Sequence, residues 1–252
     1  ALIGLRVNGV PILETDNRDS QTSRGPASYW ISNTNNYVND NVSAGTQGTG
    51  FWYHTAQRNH SLVFGSFNNN TVGSSSMGYS SCKDRSGEPG IHATSNPFIV
   101  KNLTVFATGH NIRRGDGSLK DSSALWPCGH HQTFDTLLTY DSGGETSASV
   151  TSHNAENAVF VTPTPMTIKN SVCLNTGTYN RSAIAVYDGG FSVRDSHFEG
   201  YSGEHSVFSS IGASAKRAHS RISGTTFSAN SRMFRGLSNH LGQLNAQHHP
   251  GG

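Results

Sequence analysis

The segment VKNLTV, Val100 to Val105, decides the fold once similar segments are set beside it. VNDNVS runs from Val38, FNNNTV from Phe67, FDTLLT from Phe134, IKNSVC from Ile168, VRDSHF from Val193 and ISGTTF from Ile222. Each opens on an apolar anchor. Two places on, most carry Asn, Asp or Gly: Asp40, Asn69, Asn102, Asn170, Asp195 and Gly224. Five places on, most are apolar again: Val72, Val105, Cys173, Phe198 and Phe227. Glycine turns often follow, at Gly45, Gly73, Gly109, Gly143, Gly177 and Gly200. Subtracting anchor positions gives spacings of 29, 33, 34, 34, 25 and 29 residues.

A helical repeat of this period needs apolar residues at i, i+3 and i+4. The apolar runs here are short and rich in β-branched residues instead. Each period therefore reads as one coil of short strands, with successive coils stacked in parallel. The fold class is all-β: a right-handed parallel β-helix of about seven coils. At about 4.8 Å per coil the rod would be on the order of 34 Å long. The Asn/Asp position suits a sharp corner, because Asn tolerates the left-handed backbone region. Stacked Asn side chains at that corner are expected to form a ladder that satisfies buried backbone groups. One domain is expected over residues 1–240, as part of a longer protein, with a polar tail at 241–252. The sequence shows no clear capping helix at either end, so flanking domains or neighbouring subunits are expected there.

Composition agrees with a turn-rich β protein. Only 13% of the chain is charged and 33% is hydrophobic, and aromatic residues recur throughout. The formal net charge of +2 and the lack of a Lys/Arg run speak against a nucleic-acid partner. No apolar run reaches the roughly 18–20 residues of a membrane span, so direct membrane insertion is not expected. Acidic pH would charge the thirteen histidines and make the surface basic, which admits an acidic polysaccharide partner. The three cysteines, Cys82, Cys128 and Cys173, lack metal-site spacing and leave a single disulfide or three thiols open. Cys173 falls at an inward position and reads as a packed thiol. Five Asn-x-Ser/Thr sequons, at Asn41, Asn59, Asn69, Asn102 and Asn180, are candidate glycosylation sites.

One block is more specific than the repeat: YWISNTNNYVNDNVSAGTQGTGFWYH, Tyr29 to His54. It resembles the β-helix region of the cell-migration-inducing hyaluronan-binding proteins and the transmembrane cell-surface hyaluronidases, which are related to fibrocystin. Trp30, Asn33 to Asn36, and Gly50-Phe51-Trp52-Tyr53 carry the likeness. LETDNRDS (Leu13 to Ser20), GHNIRRGD (Gly109 to Asp116) and IAVYDGGFSVRDSHFEGYSG (Ile184 to Gly203) follow the family's order. The likeness extends over roughly residues 13 to 230. It implies an extracellular or cell-surface glycoprotein, but a shared fold does not by itself imply catalysis. The chain departs from the family at Thr34, where the family has Pro, and at Ser196-His197-Phe198, where the family has Cys-x-Phe.

Chemistry on a polysaccharide needs a cation to neutralise a uronate, an acid/base group, and aromatic platforms for sugar rings. The candidate catalytic residues are Asp16, Asp19, His110, Arg113 and Asp116. Asp16 and Asp19 are spaced to hold Ca²⁺ or to act as acid and base, and otherwise form a solvated loop with Arg18. His110, Arg113, Arg114 and Asp116 offer carboxylate recognition and a titratable ring, or else a turn held by an Arg–Asp pair. Candidate substrate-binding residues are Trp52, His54, Arg18, Arg114, Tyr187 and Asp188. A ring among Trp52, Tyr53 and His54 would stack on sugar if exposed and join the core if buried. His130 and His131 point oppositely on a strand and do not suit one ion.

The leading expectation is an extracellular β-helix that binds polysaccharide of the hyaluronan or glycosaminoglycan type, and that depolymerises it if it is a hydrolase or lyase. The rival is a structural or adhesive segment of a surface coat or appendage. A phage-type depolymerase trimer is a third alternative.

Overall fold

The computed structural model describes residues 27–46, 48–53, 63–81, 96–108, 123–127, 131–142, 148–153, 166–176, 182–188, 191–202, 206–210 and 221–236. Strand β1 (Ala27–Ile31) precedes seven coils of three strands each. The first three coils are β2 (Tyr37–Asn39), β3 (Val42–Ala44) and β4 (Thr49–Tyr53); β5 (Ser66–Asn68), β6 (Thr71–Gly73) and β7 (Met77–Ser80); and β8 (Phe98–Lys101), β9 (Thr104–Phe106) and β10 (Leu125–Trp126). The next two are β11 (Gln132–Asp135), β12 (Leu138–Tyr140) and β13 (Ala148–His153); and β14 (Met166–Lys169), β15 (Val172–Leu174) and β16 (Ser182–Asp188). The last two are β17 (Phe191–Arg194), β18 (His197–Glu199) and β19 (Ser206–Ser210); and β20 (Arg221–Ser223), β21 (Thr226–Phe227) and β22 (Phe234–Gly236).

These strands form three sheets in which each strand pairs with its equivalents one coil away. Sheet I holds the eight strands β1 to β22 taken every third, sheet II the seven from β2 to β20, and sheet III the seven from β3 to β21. All of the pairings are parallel, as the repeat required. The seven anchors stand in one column: Val38, Phe67, Val100, Phe134, Ile168, Val193 and Ile222 are register partners in turn. A second column on sheet III runs Ser43, Val72, Val105, Thr139, Cys173, Phe198 and Phe227. A third on sheet I joins Tyr29, Phe51, Tyr79, Leu125, Val150, Ile184, Phe208 and Phe234.

Among the side chains described, the apolar members of the three columns converge on one core. Fully burying a Val, Ile or Phe contributes about 1.5–3 kcal/mol over leaving it exposed. Rings add contact across the interior: Phe67 meets Phe51 and Tyr79 edge-on, and Tyr79 meets Phe134 likewise. Cys173 is the packed free thiol that its inward place suggested. Burial pushes that thiol up to about 11, with the neighbouring Thr139 side chain offsetting part of the rise, so it stays protonated at neutral pH.

Two turns shape every coil. At the first corner, between sheets II and III, Asp40, Asn69, Asn102, Thr136, Asn170, Asp195 and Gly224 all have φ between 50° and 61°. This is the left-handed conformation expected of the Asn/Asp position, and Thr136 adopts it too. Backbone bonds lock the corners together: Asn69 N donates to Lys101 O (3.2 Å) and Asn102 N to Asp135 O (2.9 Å).

The corner ladder differs from expectation. Corner side chains bond mainly to one another at the surface, with Asn69 Nδ2 donating to Asp40 Oδ1 (3.1 Å) and Asn102 Nδ2 to Asn69 Oδ1 (2.9 Å). Buried backbone groups are satisfied one residue later, where the chain turns inward. Asn70 Oδ1 accepts from Asn41 N, Ser171 Oγ from Leu137 N, and Ser196 Oγ from Ser171 N. The buried Leu103 and Leu137 fill the coils between. The second corner, after sheet III, has Gly45, Ser74, Ala107, Asp141 and Gly200 at positive φ.

Glycine is required where sheet III turns into sheet I. A Cβ on Gly50 would lie 2.7 Å from Val72 Cγ1, and one on Gly78 would lie 2.5 Å from the Ala124 carbonyl oxygen. This close approach accounts for the glycine that opens Gly50-Phe51-Trp52-Tyr53.

Ile168→Ala, in mid-column, is expected to lower unfolding free energy by about 2–5 kcal/mol. Asn102→Gly is expected to be milder than Asn102→Ala, since only glycine keeps the left-handed corner free of strain. Denaturant titration followed by circular dichroism checks both.

Candidate functional site

Side chains on sheets II and III alternate between core and outside, as the burial of Phe98-Ile99-Val100-Lys101 shows: in, out, in, out. The residue after each anchor therefore faces out beside the first corner. Down sheet II these are Asn39, Asn68, Lys101, Asp135, Lys169, Arg194 and Ser223, in register. Four consecutive coils thus carry charge, about 4.8 Å apart. Lys169 Nζ bridges to Asp135 Oδ2 at 3.0 Å. Lys101 and Arg194 are exposed and form no ion pair among the described residues. Arg221 is exposed on the same face one coil beyond Arg194. The outer face of sheet II therefore carries four cations against one carboxylate, with Asp40 and Asp195 at the adjoining corner.

Asp135 is tuned by its neighbours. Partial burial draws its carboxyl upward, but hydrogen bonds from Asn170, Lys169 and Thr136, with the Lys169 charge, outweigh that and hold it below the ordinary value of 3.8. A carboxyl depressed in the folded state stabilises the fold above its ordinary value. That stabilisation is lost as pH falls from about 4 through the folded value. Asp135→Asn is accordingly expected to shrink the loss of thermal stability between pH 4 and pH 2.

Sheet III presents a different surface. Phe106 (40% exposed), Leu138 (37%) and Tyr140 (45%) face outward on adjacent coils, with Val42 (66%) nearer the start. Phe106 leans over Gly73, whose missing side chain leaves room for the ring: a Cβ there would lie 2.3 Å from Phe106 Cζ. Beside Tyr140, the Asp141 carboxylate accepts from Thr176 N (2.6 Å) and Thr176 Oγ1 (2.9 Å).

Sequence reasoning did not single out the charged column or the sheet III rings. Its signal for the former was legible, namely the residue one place after each anchor. Among the residues it did name, Trp52 is corrected. Its ring has no exposed surface and lies 4.5 Å from Trp30, so it has no face to offer a sugar. Trp30 is the exposed member of the pair, at 51%. Both faces of β4 are closed from solvent, which strand alternation alone does not reveal.

Tyr187 and Asp188 close β16, and Asp188 pairs with His153 across a register shift. Asn41, Asn69 and Asn102 lie on the first corner. Asp16, Arg18, Asp19, His54, His110, Arg113, Arg114, Asp116, Asn59 and Asn180 lie outside the described residues, as do Cys82, Cys128 and His130. Among the described residues no cluster of three or more His, Cys, Asp or Glu could hold a metal ion. No helix there is long and apolar enough to cross a membrane.

The family model of the CEMIP beta-helix matches residues 10–81. Over that stretch the chain is similar to the CEMIP β-helix. The match takes in the Leu13–Ser20 segment and the Tyr29–His54 block that carried the resemblance, and reaches β7. The likenesses at Gly109–Asp116 and Ile184–Gly203 lie beyond it. No curated protein and no solved structure matches the chain.

Trp52→Ala is expected to cost about 3–5 kcal/mol of stability. Trp30→Ala is expected to cost about 1 kcal/mol, the worth of one ring contact. Comparing the two unfolding midpoints checks the assignment of core and surface.

Proposed function

We propose that this chain is an extracellular β-helix that binds an acidic polysaccharide of the hyaluronan or glycosaminoglycan type along the outer face of sheet II. The observation that carries the reading is the charged column. Lys101, Lys169, Arg194 and the neighbouring Arg221 place cations along the rod axis at the coil spacing, which suits a linear polymer with regularly repeated carboxylates. The Asn39 and Asn68 amides in the column supply hydrogen bonds for hydroxyl and acetamido groups. The CEMIP β-helix match supports the same substrate class and the extracellular setting.

Depolymerisation, by hydrolysis or elimination, is the further step of this reading. It rests on Asp16, Asp19, His110, Arg113 and Asp116, with Ca²⁺ as the candidate cofactor of the Asp16/Asp19 pair. The rival is a structural or adhesive segment, and the exposed strip of Phe106, Leu138 and Tyr140 favours it, since such strips serve protein contacts.

The test is calorimetric titration of the full chain with hyaluronan, chondroitin sulfate and neutral dextran at low ionic strength. The two acidic polymers are expected to bind, and binding is expected to weaken with added salt. The double variant Lys101→Glu/Arg194→Glu is expected to weaken binding about tenfold or more, the equivalent of about 1.4 kcal/mol. Asp135→Asn is expected to strengthen it. Equal binding of dextran, or no effect of the charge reversals, would reject the sheet II surface. Sizing the polymers after incubation, with and without Ca²⁺, separates binding from cleavage.

A further inference from the structure

Three of the sequons lie on the first corner, and their side chains are held differently. N-glycosylation forms a bond from Nδ2 to the sugar C1 and replaces one of its two N–H groups. A fold-compatible site therefore needs an N–H that the structure does not use, and a side chain that reaches solvent.

Asn41 fails the first condition. It is half-buried, and its Nδ2 donates to Asn39 O (2.8 Å) and to Oδ1 of the fully buried Asn70 (3.1 Å). Asn102 is also half-buried, and its Nδ2 donates to Asn68 Oδ1 (3.1 Å) and Asn69 Oδ1 (2.9 Å). Asn69 is exposed, and its Nδ2 makes a single bond, to Asp40 Oδ1 (3.1 Å).

We infer that Asn69 is the N-glycosylation site of the described coils, and that Asn41 and Asn102 are structural asparagines in sequon disguise. The inference rests on the extracellular placement proposed above. The donor is an oligosaccharide on a polyprenyl diphosphate. The C1–O bond to the diphosphate breaks, the Nδ2–C1 bond forms, the lipid diphosphate leaves, and the displaced Nδ2 proton passes to solvent. Transfer precedes folding, so the fold acts afterwards. A glycan on Asn41 or Asn102 removes a donor from the corner ladder, whereas one on Asn69 leaves its bond to Asp40 intact. A glycan at Asn69 stands one coil before Lys101 and so marks the near end of the charged column.

The test is secretion of the 252-residue chain behind a supplied leader from a glycosylating cell line, followed by glycopeptide mass spectrometry. Supplying the leader keeps the result independent of where the natural protein resides. Asn69 is expected to be occupied, with Asn41 and Asn102 bare. Thr71→Val destroys the Asn69 sequon and leaves Asn69 itself in place, and is expected to remove one glycan while secretion continues. Thr104→Val and Ser43→Ala, which destroy the other two, are expected to leave the glycan count unchanged. A bare Asn69, or a secreted folded chain glycosylated at Asn41 or Asn102, overturns the inference.

Discussion

The structure depends on the stacking of each coil on the next in fixed register. Every coil donates and accepts backbone hydrogen bonds along the rod axis, and every coil places its apolar residues over those below. Neither contribution suffices alone. A short parallel strand leaves its backbone groups unsatisfied at an edge, and an apolar column needs the register that the backbone bonds impose. The left-handed first corner connects the two. It turns the chain sharply enough that the anchor and the residue five places later both face inward, and it repeats that turn from Asp40 to Gly224.

Much of this was legible from the sequence because two sheets keep a fixed distance across the first corner. The anchors and the Val72-to-Phe227 positions fall in their columns where the spacing put them. Sheet I was not legible in the same way. Its strands begin from ten residues after the anchor (Met77 after Phe67) to twenty-five (Leu125 after Val100), by subtraction, so they do not align by eye. The ladder was read one residue early, because the left-handed corner residue points outward and the next one turns in. The strand register, not the sequence, puts Trp30 and Trp52 on the same face, which is closed over Trp52 and open over Trp30.

The candidate surface follows from the same geometry. Any residue type placed one position after the anchor becomes a line of side chains down the rod, so a few substitutions in separate coils create a continuous charged strip. The fold needs no special pocket for this, and a long polymer needs none either. Lys169 and Asp135 show that the strip also serves stability, because their ion pair joins adjacent coils.

The most direct measurement of the stacked-coil account is a set of electron-spin distances between labelled cysteines in a chain whose three native cysteines have been replaced. Val42, Thr71, Thr104, Leu138, Val172, His197 and Thr226 form one outward column on sheet III. Labels at Val42 and Val172 span four coils, and labels at Val42 and Thr226 span six. The backbone separations expected are about 19 Å and about 29 Å, growing by one strand spacing per coil. A six-coil distance equal to or shorter than the four-coil distance would contradict the account.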